Sequence, residues 1–202
     1  MSEALSRRIE RRSRQRAANR SAILEAARRV ATREGAGDLS LRAVAGEAGY
    51  APASVYEYFR NRAELVLALA AEDMGSLARA VRESAAGREG GPGAFAAAAK
   101  AALDIMRVSG ALPAAAATLE GADAPSEAER LFNGRLIAAL TAFAEATGRG
   151  TLRTRDEQGD VVLAAAAVTG LAVLARAGRL KALALDEGAL LDRLEKRFTS
   201  IS

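Results

Sequence analysis

Between Ser40 and Arg62 the chain alternates residues that start helices with residues that stop them, at intervals that allow only short helices and tight turns. Ser40 can cap a helix over 41–48, with Leu41, Val44, Ala45 and Ala48 on one face. Gly49 stops it, because glycine adopts the left-handed conformation that a tight turn needs. Pro52 suits the first turn of a second helix over 52–59. Asn61 and Glu64 have the spacing of an N-cap and its reciprocal partner, opening a long helix with Leu65, Val66, Leu69, Leu77 and Val81. Upstream, Ile23, Ala27, Val30 and Ala31 give a helical stripe over 19–34, ended by Gly35 and Gly37. Ala45 lets the two short helices approach closely, and Val44, Ala48, Val55 and Phe59 can share a core with the helix before them. That layout is a helix-turn-helix, whose second helix can enter the major groove of DNA.

The rest of the chain reads as helix as well. Half of the residues are hydrophobic but only 4% are aromatic. Alanine and leucine, which lose little entropy in helices, dominate, and alternating β-branched runs are nearly absent. The run Gly87 to Gly93 is the clearest break. After it the periodicity predicts helices at about 93–109, 113–121, 125–148, 156–179 and 186–199, with Pro113 in a first turn, Thr154 and Glu157 as a capping box and Asp186 as a cap. The expectation is an all-α chain of about nine helices: a basic arm over 1–18, a three-helix helix-turn-helix domain over 19–65 and a larger helical bundle over 66–202.

Charge is unevenly placed. The net charge is +4, yet residues 1–65 carry 13 Lys/Arg against 8 Asp/Glu, whereas 66–202 carry 16 against 17. Arg7, Arg8, Arg11, Arg12, Arg14 and Arg16 crowd the arm, which is either disordered or a helical extension of the 19–34 helix. Such asymmetry fits a polyanion partner at that end, or a solvated basic tail. There is no Cys, His or Trp. Thiol, triad and histidine acid–base chemistry are excluded, and zinc or iron–sulfur sites and disulfides are not expected. No cofactor is implied. The longest apolar run, Val161 to Ala175, falls short of the roughly 20 residues of a membrane span, and the N-terminus lacks the apolar core of a signal peptide. A cytoplasmic protein is expected.

Several stretches together resemble the TetR/AcrR family of transcriptional regulators. They are Ile23-Leu-Glu-Ala-Ala through Glu34-Gly, Leu39-Ser-Leu-Arg-Ala-Val-Ala, Ala48-Gly-Tyr, Val55-Tyr-Glu-Tyr-Phe and Asn61-Arg-Ala-Glu-Leu. They cover about a quarter of the chain without a gap. The resemblance implies roles. Ser40 caps the second helix and can meet a phosphate, Arg42 in its first turn can reach a phosphate or a base edge, and Tyr56 is the family's aromatic phosphate contact. Arg62 stands where the family commonly has a backbone-contacting lysine. Ala51, Pro52, Ala53, Ser54, Glu57 and Tyr58 lie on or near the exposed face of the recognition helix. The bland readings are that Tyr56 closes the small core and that Arg62 is solvated. Glu57 departs from a phosphate-friendly face; it can accept from cytosine N4 and otherwise repels phosphate. With Pro52 and Ala53 offering only apolar contacts, phosphate contacts and DNA shape are expected to carry much of the specificity.

The family works as a homodimer on a pseudo-palindrome, and the last two helices are the expected interface: Val161, Val168, Leu171 and Leu174, with Leu190, Leu191, Leu194 and Phe198. Its C-terminal domains often hold a small-molecule cavity. Candidate lining here is Phe95, Met106, Leu112, Thr118, Leu119, Phe132, Leu136 and Phe143, with Glu120 as a further polar group, and an apolar effector would release DNA. The expected function is therefore a ligand-responsive regulator, commonly a repressor. Two alternatives stay open: a non-sensing or architectural DNA-binding protein with the same N-terminal domain, and an enzyme using carboxylates such as Glu120, Asp123, Glu127 and Glu129. No motif makes those carboxylates converge, so an enzyme is not expected.

Overall fold

The computed structural model describes residues 3–87, 90, 91, 93–118, 126–148 and 154–199. These form ten helices: α1 Glu3–Glu34, α2 Leu41–Ala48, α3 Pro52–Tyr56, α4 Arg62–Ala85, α5 Ala94–Val108, α6 Ala111–Ala116, α7 Glu127–Ala146, α8 Arg155–Arg176, α9 Arg179–Ala182 and α10 Glu187–Thr199. The described residues include no strand. The helix expected over 156–179 is two: α8 ends at Arg176, and Gly178, at φ 68°, opens the single turn α9. The division expected at 18/19 falls inside α1, and that at 65/66 falls inside α4. The basic arm is thus a helical extension.

α4 is the axis of the molecule. Every residue from Leu65 to Ala71 is buried, so this helix is wrapped on all sides. It packs most extensively on α7 and α5 and also meets α1 and α6. Alanines such as Ala68, Ala78, Ala98, Ala139 and Ala142 let these backbones approach. At the far end, Phe95 meets Phe143 edge-on at 5.3 Å and stacks on Phe198 at 5.8 Å, which joins α5, α7 and α10.

Side-chain caps set the helix starts. Ser40 Oγ accepts from Ala43 N at 3.1 Å. Asn61 Oδ1 accepts from Glu64 N at 2.9 Å, whereas the Glu64 carboxylate reaches one residue further back, to Arg60 N. Ser126 with Glu129 and Thr154 with Glu157 form complete capping boxes, and Asp186 Oδ1 accepts from Ala189 N. α6 starts two residues before the expected 113, because Ser109 Oγ accepts from Leu112 N. The turns after α4 and α7 touch: a Cβ on Gly90 would lie 2.8 Å from Gly148 Cα, so neither position admits a side chain.

Candidate nucleic-acid interface

The turn between α2 and α3 is built as its sequence requires. Gly49 sits at φ 72°, and Tyr50 N donates to Ala45 O at 2.9 Å, closing the end of α2. α3 is then held from below by Val55, with no exposed surface, and by Phe59 just past its end. Leu39, Leu41, Val44 and Ala45 complete this core against Ile23, Ala27 and Val30 of α1. The helix expected over 52–59 ends three residues earlier, at Tyr56; Glu57 keeps right-handed helical dihedrals, and Phe59 N still donates to Val55 O at 3.0 Å.

Anchored in this way, α3 turns its other face to solvent. Ala51, Pro52, Ala53, Tyr56 and Glu57 are exposed, and Ser54 is half-buried. Tyr56 keeps 55% of its surface, so it does not close the core. Ser40 and Arg42, at the start of α2, are exposed beside it in sequence. Two of the anticipated contacts are occupied within the protein. Tyr58 is half-buried, and its hydroxyl accepts from Asn19 Nδ2 at 3.1 Å. The Arg62 guanidinium donates to the carbonyls of Ala36 at 3.1 Å and Gly37 at 2.6 Å, and its Nε is buried without a partner.

Arg16 of the basic arm and three arginines not singled out from the sequence, Arg20, Arg29 and Arg33, brace the helix-turn-helix. Arg16 lies over the Tyr58 ring at 5.1 Å and donates to Glu57 O at 3.2 Å. Arg20 lies over the Phe59 ring at 5.2 Å. Arg29 and Arg33 of α1 share the Glu47 carboxylate on α2 at 2.7 and 3.1 Å. Both hydrogen bonds hold Glu47 below the usual carboxylate range, and bonds to Glu34 and Glu47 hold Arg33 above its ordinary value. The i, i+4 spacing of Arg16 with Arg20, and of Arg29 with Arg33, was the available signal; the partners on α2 and α3 were not.

A second polar cluster links this domain to the bundle. Asp73, buried on α4, accepts from Arg28 of α1 and from Ser109 Oγ at the α5–α6 turn, while Arg176 of α8 donates to Ser109 O at 3.3 Å. Burial alone would lower the Arg28 pKa, but its bonds to Asp73 and Glu72 raise it. Next to it, a Cβ on Gly110 would stand 3.5 Å from Ala36 Cβ. The bundle therefore touches the loop that comes after α1.

Within the bundle an apolar cavity of about 80 Å³ lies between α4, α5, α7 and α8. Met106, Leu136 and Phe143 line it, together with Met74, Leu77 and Val168. Phe95, Leu112, Thr118 and Phe132 do not; the first and last are buried core, and the Thr118 hydroxyl is turned back to Ala115 O at 2.7 Å. Leu119, Glu120 and Asp123 fall outside the described residues.

Not all of the residues expected at an interface lie on the outer face of the bundle. Val161, Val168 and Leu191 are inside the protomer, so they cannot meet a second copy. Leu171, Leu190, Leu194 and Phe198 are half-buried, and Leu174 is exposed. The exposed stripe of α8 is Val162, Leu163, Ala166, Gly170, Val173 and Leu174. A helix apolar nearly all round gives no register; packing on α5 selects Val161, Ala164, Val168 and Ala172 for the inside. By length and composition alone α8 passes for a membrane span, although little of its apolar window is buried.

These features define an all-helical chain whose N-terminal part is a helix-turn-helix domain. Residues 23–69 match the family described as bacterial regulatory proteins, tetR family, so this stretch is a DNA-binding domain of that type, set in a TetR-like all-helical fold. Solved structures cover nearly the whole chain. A TetR transcriptional regulator from Rhodococcus sp. RHA1 is 17% identical with a TM-score of 0.69, over 91% of this chain and 97% of that one. The TetR-like regulator LfrR from Mycobacterium smegmatis, in complex with proflavine, is 17% identical with a TM-score of 0.58, over 92% and 97%. The fatty acid degradation regulator FadR from Bacillus halodurans is 18% identical with a TM-score of 0.55, over 88% and 96%. At such identities the likeness is one of fold. No protein of curated function matches the sequence.

Proposed function

We propose that this chain is a ligand-responsive transcriptional regulator, acting as a repressor, that binds a pseudo-palindromic operator as a homodimer and is released by a small, mainly apolar effector. The observation that carries the reading is the exposed face of α3, held on Val55 and Phe59 and bearing a solvent-facing Tyr56. Ser40, Arg42 and Tyr56 serve phosphates, and Ala51, Pro52, Ala53, Ser54 and Glu57 face base edges. Tyr58 and Arg62 set the angle of α3 and α4 from within. One such domain covers too few base pairs for useful affinity, and the exposed stripe of α8 supports pairing with a second copy. Such a protein works where DNA is, in the cytoplasm. Selection of duplexes from a random pool tests the reading: a two-fold symmetric consensus is expected, and a pool without one would refute it.

Effector release rests on the cavity beside Met106, Leu136 and Phe143, and the proflavine complex of LfrR supports a small-molecule ligand at this fold. The polar link from Asp73 to Arg28 and Ser109 offers a route by which a change among α4 to α8 tilts α1 and the reading head. The cavity size favours a second reading, a regulator without an effector, because about 80 Å³ is far below the roughly 300 Å³ of ordinary ligand sites. Heat-denaturation screening against planar cations and fatty acids separates them. A ligand that raises Tm and lowers operator affinity supports sensing; a panel without one supports the second reading.

A further inference from the structure

α1 does not begin at the DNA-binding domain. It runs unbroken from Glu3 to Glu34, whereas its buried face begins at Ile23 and its first side-chain contact with the reading head is at Arg16. At 1.5 Å per residue, the stretch from Glu3 to Arg16 extends about 20 Å beyond those contacts. Side chains from 5 to 18 are exposed, including Arg7, Arg8, Arg11, Arg12, Arg14 and Arg16. Glu10 pairs with Arg14 at 3.6 Å on an exposed face and Arg7 also has a partner, but among the described residues Arg8, Arg11 and Arg12 have no ion-pair or hydrogen-bond partner.

The base of this extension is fixed to the reading head. Asn19 donates to the Tyr58 hydroxyl, Arg16 donates to Glu57 O and covers the Tyr58 ring, and Arg20 covers the Phe59 ring. All three partners stand at the end of α3. The extension is therefore set at one angle to the recognition helix rather than swinging free. Its cationic surface begins where the candidate DNA face ends.

We propose that residues 5–16 of α1 are a rigid strut that lies along the duplex outside the half-site read by α3 and contacts its backbone phosphates. This deepens the DNA-binding reading and rests on it. Charge chooses the partner, because closely spaced exposed guanidinium groups match a regular phosphate array. Continuity with the face of α3 places that array on the same duplex. The strut reads no bases; it lengthens the footprint and steepens the dependence on salt.

The test uses the full chain with two duplexes of the selected consensus, one ending at the half-site edges and one carrying about ten further base pairs on each side. Fluorescence anisotropy gives affinity against salt. The longer duplex is expected to bind about tenfold more tightly near 0.1 M salt, with a steeper log–log slope by about two for two extra phosphates per complex. Arg8→Gln, Arg11→Gln and Arg12→Gln together should remove both differences. The same three positions as lysine should keep them, and Lys100→Gln on α5 should alter neither. Circular dichroism checks that the glutamine variant stays helical. If both duplexes bind alike while keeping sequence preference, the strut is overturned and the operator reading stands. If neither duplex is preferred over a scrambled one, the operator reading itself falls. Loss of binding to anionic phospholipid vesicles in the triple variant, with DNA unaffected, would also overturn the strut in favour of a membrane surface.

Discussion

Arg62 donates a 2.6 Å hydrogen bond to the carbonyl oxygen of Gly37, tying the first turn of α4 to the loop that enters α2. Its Nη2 also bonds Ala36 O, and its Nε is buried. A residue so engaged shapes the reading head from inside, whereas Tyr56 is turned outward. The two should therefore behave differently. Arg62→Ala is expected to cost about 1–2 kcal/mol of stability, because it strands two carbonyls. Tyr56→Phe should leave the denaturation midpoint unchanged and weaken operator binding about tenfold, the worth of one hydrogen bond to a charged phosphate. Denaturation and anisotropy on the same samples check the split.

The Asp73 cluster predicts an asymmetry. Removing the half-exposed arginine leaves a buried carboxylate unpaired, so Arg28→Ala should destabilise by about 2–3 kcal/mol, below the full penalty for a buried pair because Arg28 reaches solvent. Asp73→Asn keeps a bond to Ser109 and frees Arg28 for Glu72, so it should cost nearer ~1 kcal/mol. Urea denaturation at one fixed protein concentration gives both numbers. Equal costs would argue against Asp73 as the buried centre of the link.

Glu47 supplies the pH dependence. Its carboxylate is held below the usual range by hydrogen bonds from Arg29 and Arg33, which pin α2 to α1. A depressed folded-state pKa means that its stabilisation is complete above the unfolded value, about 4.3, and is lost as pH falls through the lower folded value. Wild type should melt above Glu47→Gln at about pH 7, and the two curves should converge as pH falls through the depressed folded-state value of Glu47. A gap that persists into acid would show that the ion pairs are not its source.

The exposed stripe of α8 predicts the association state. Leu163→Glu with Val173→Glu should yield folded monomers in sedimentation and lose most operator affinity. Val161→Ala lies inside instead. It should cost about 2 kcal/mol of stability without changing the association state.

How far the sequence reaches is plain in these residues. Ser40, Gly49, Pro52 and Asn61 mark the helix-turn-helix because caps and breakers act locally, and each does its expected work. The first-helix stripe and the inward Val55 and Phe59 come from periodicity. What stayed hidden depends on distant partners. Tyr58 and Arg62 look equally exposed in sequence, until Asn19 and the Gly37 carbonyl come to meet them. α8 is apolar on every side, so only packing on α5 could say that Val161 faces in and Leu163 out. The cavity residues Met74 and Leu77 sit on the inward stripe of α4, where periodicity marks burial but does not distinguish a lining residue from plain core.

The most direct measurement is competition between the selected consensus duplex and a scrambled duplex of equal length and composition, at about 0.15 M salt. A preference of about three orders of magnitude or more is expected, carried by α3 and reduced by Tyr56→Phe. Equal affinity for the two duplexes, unchanged by that substitution, would contradict the claim that α3 reads DNA.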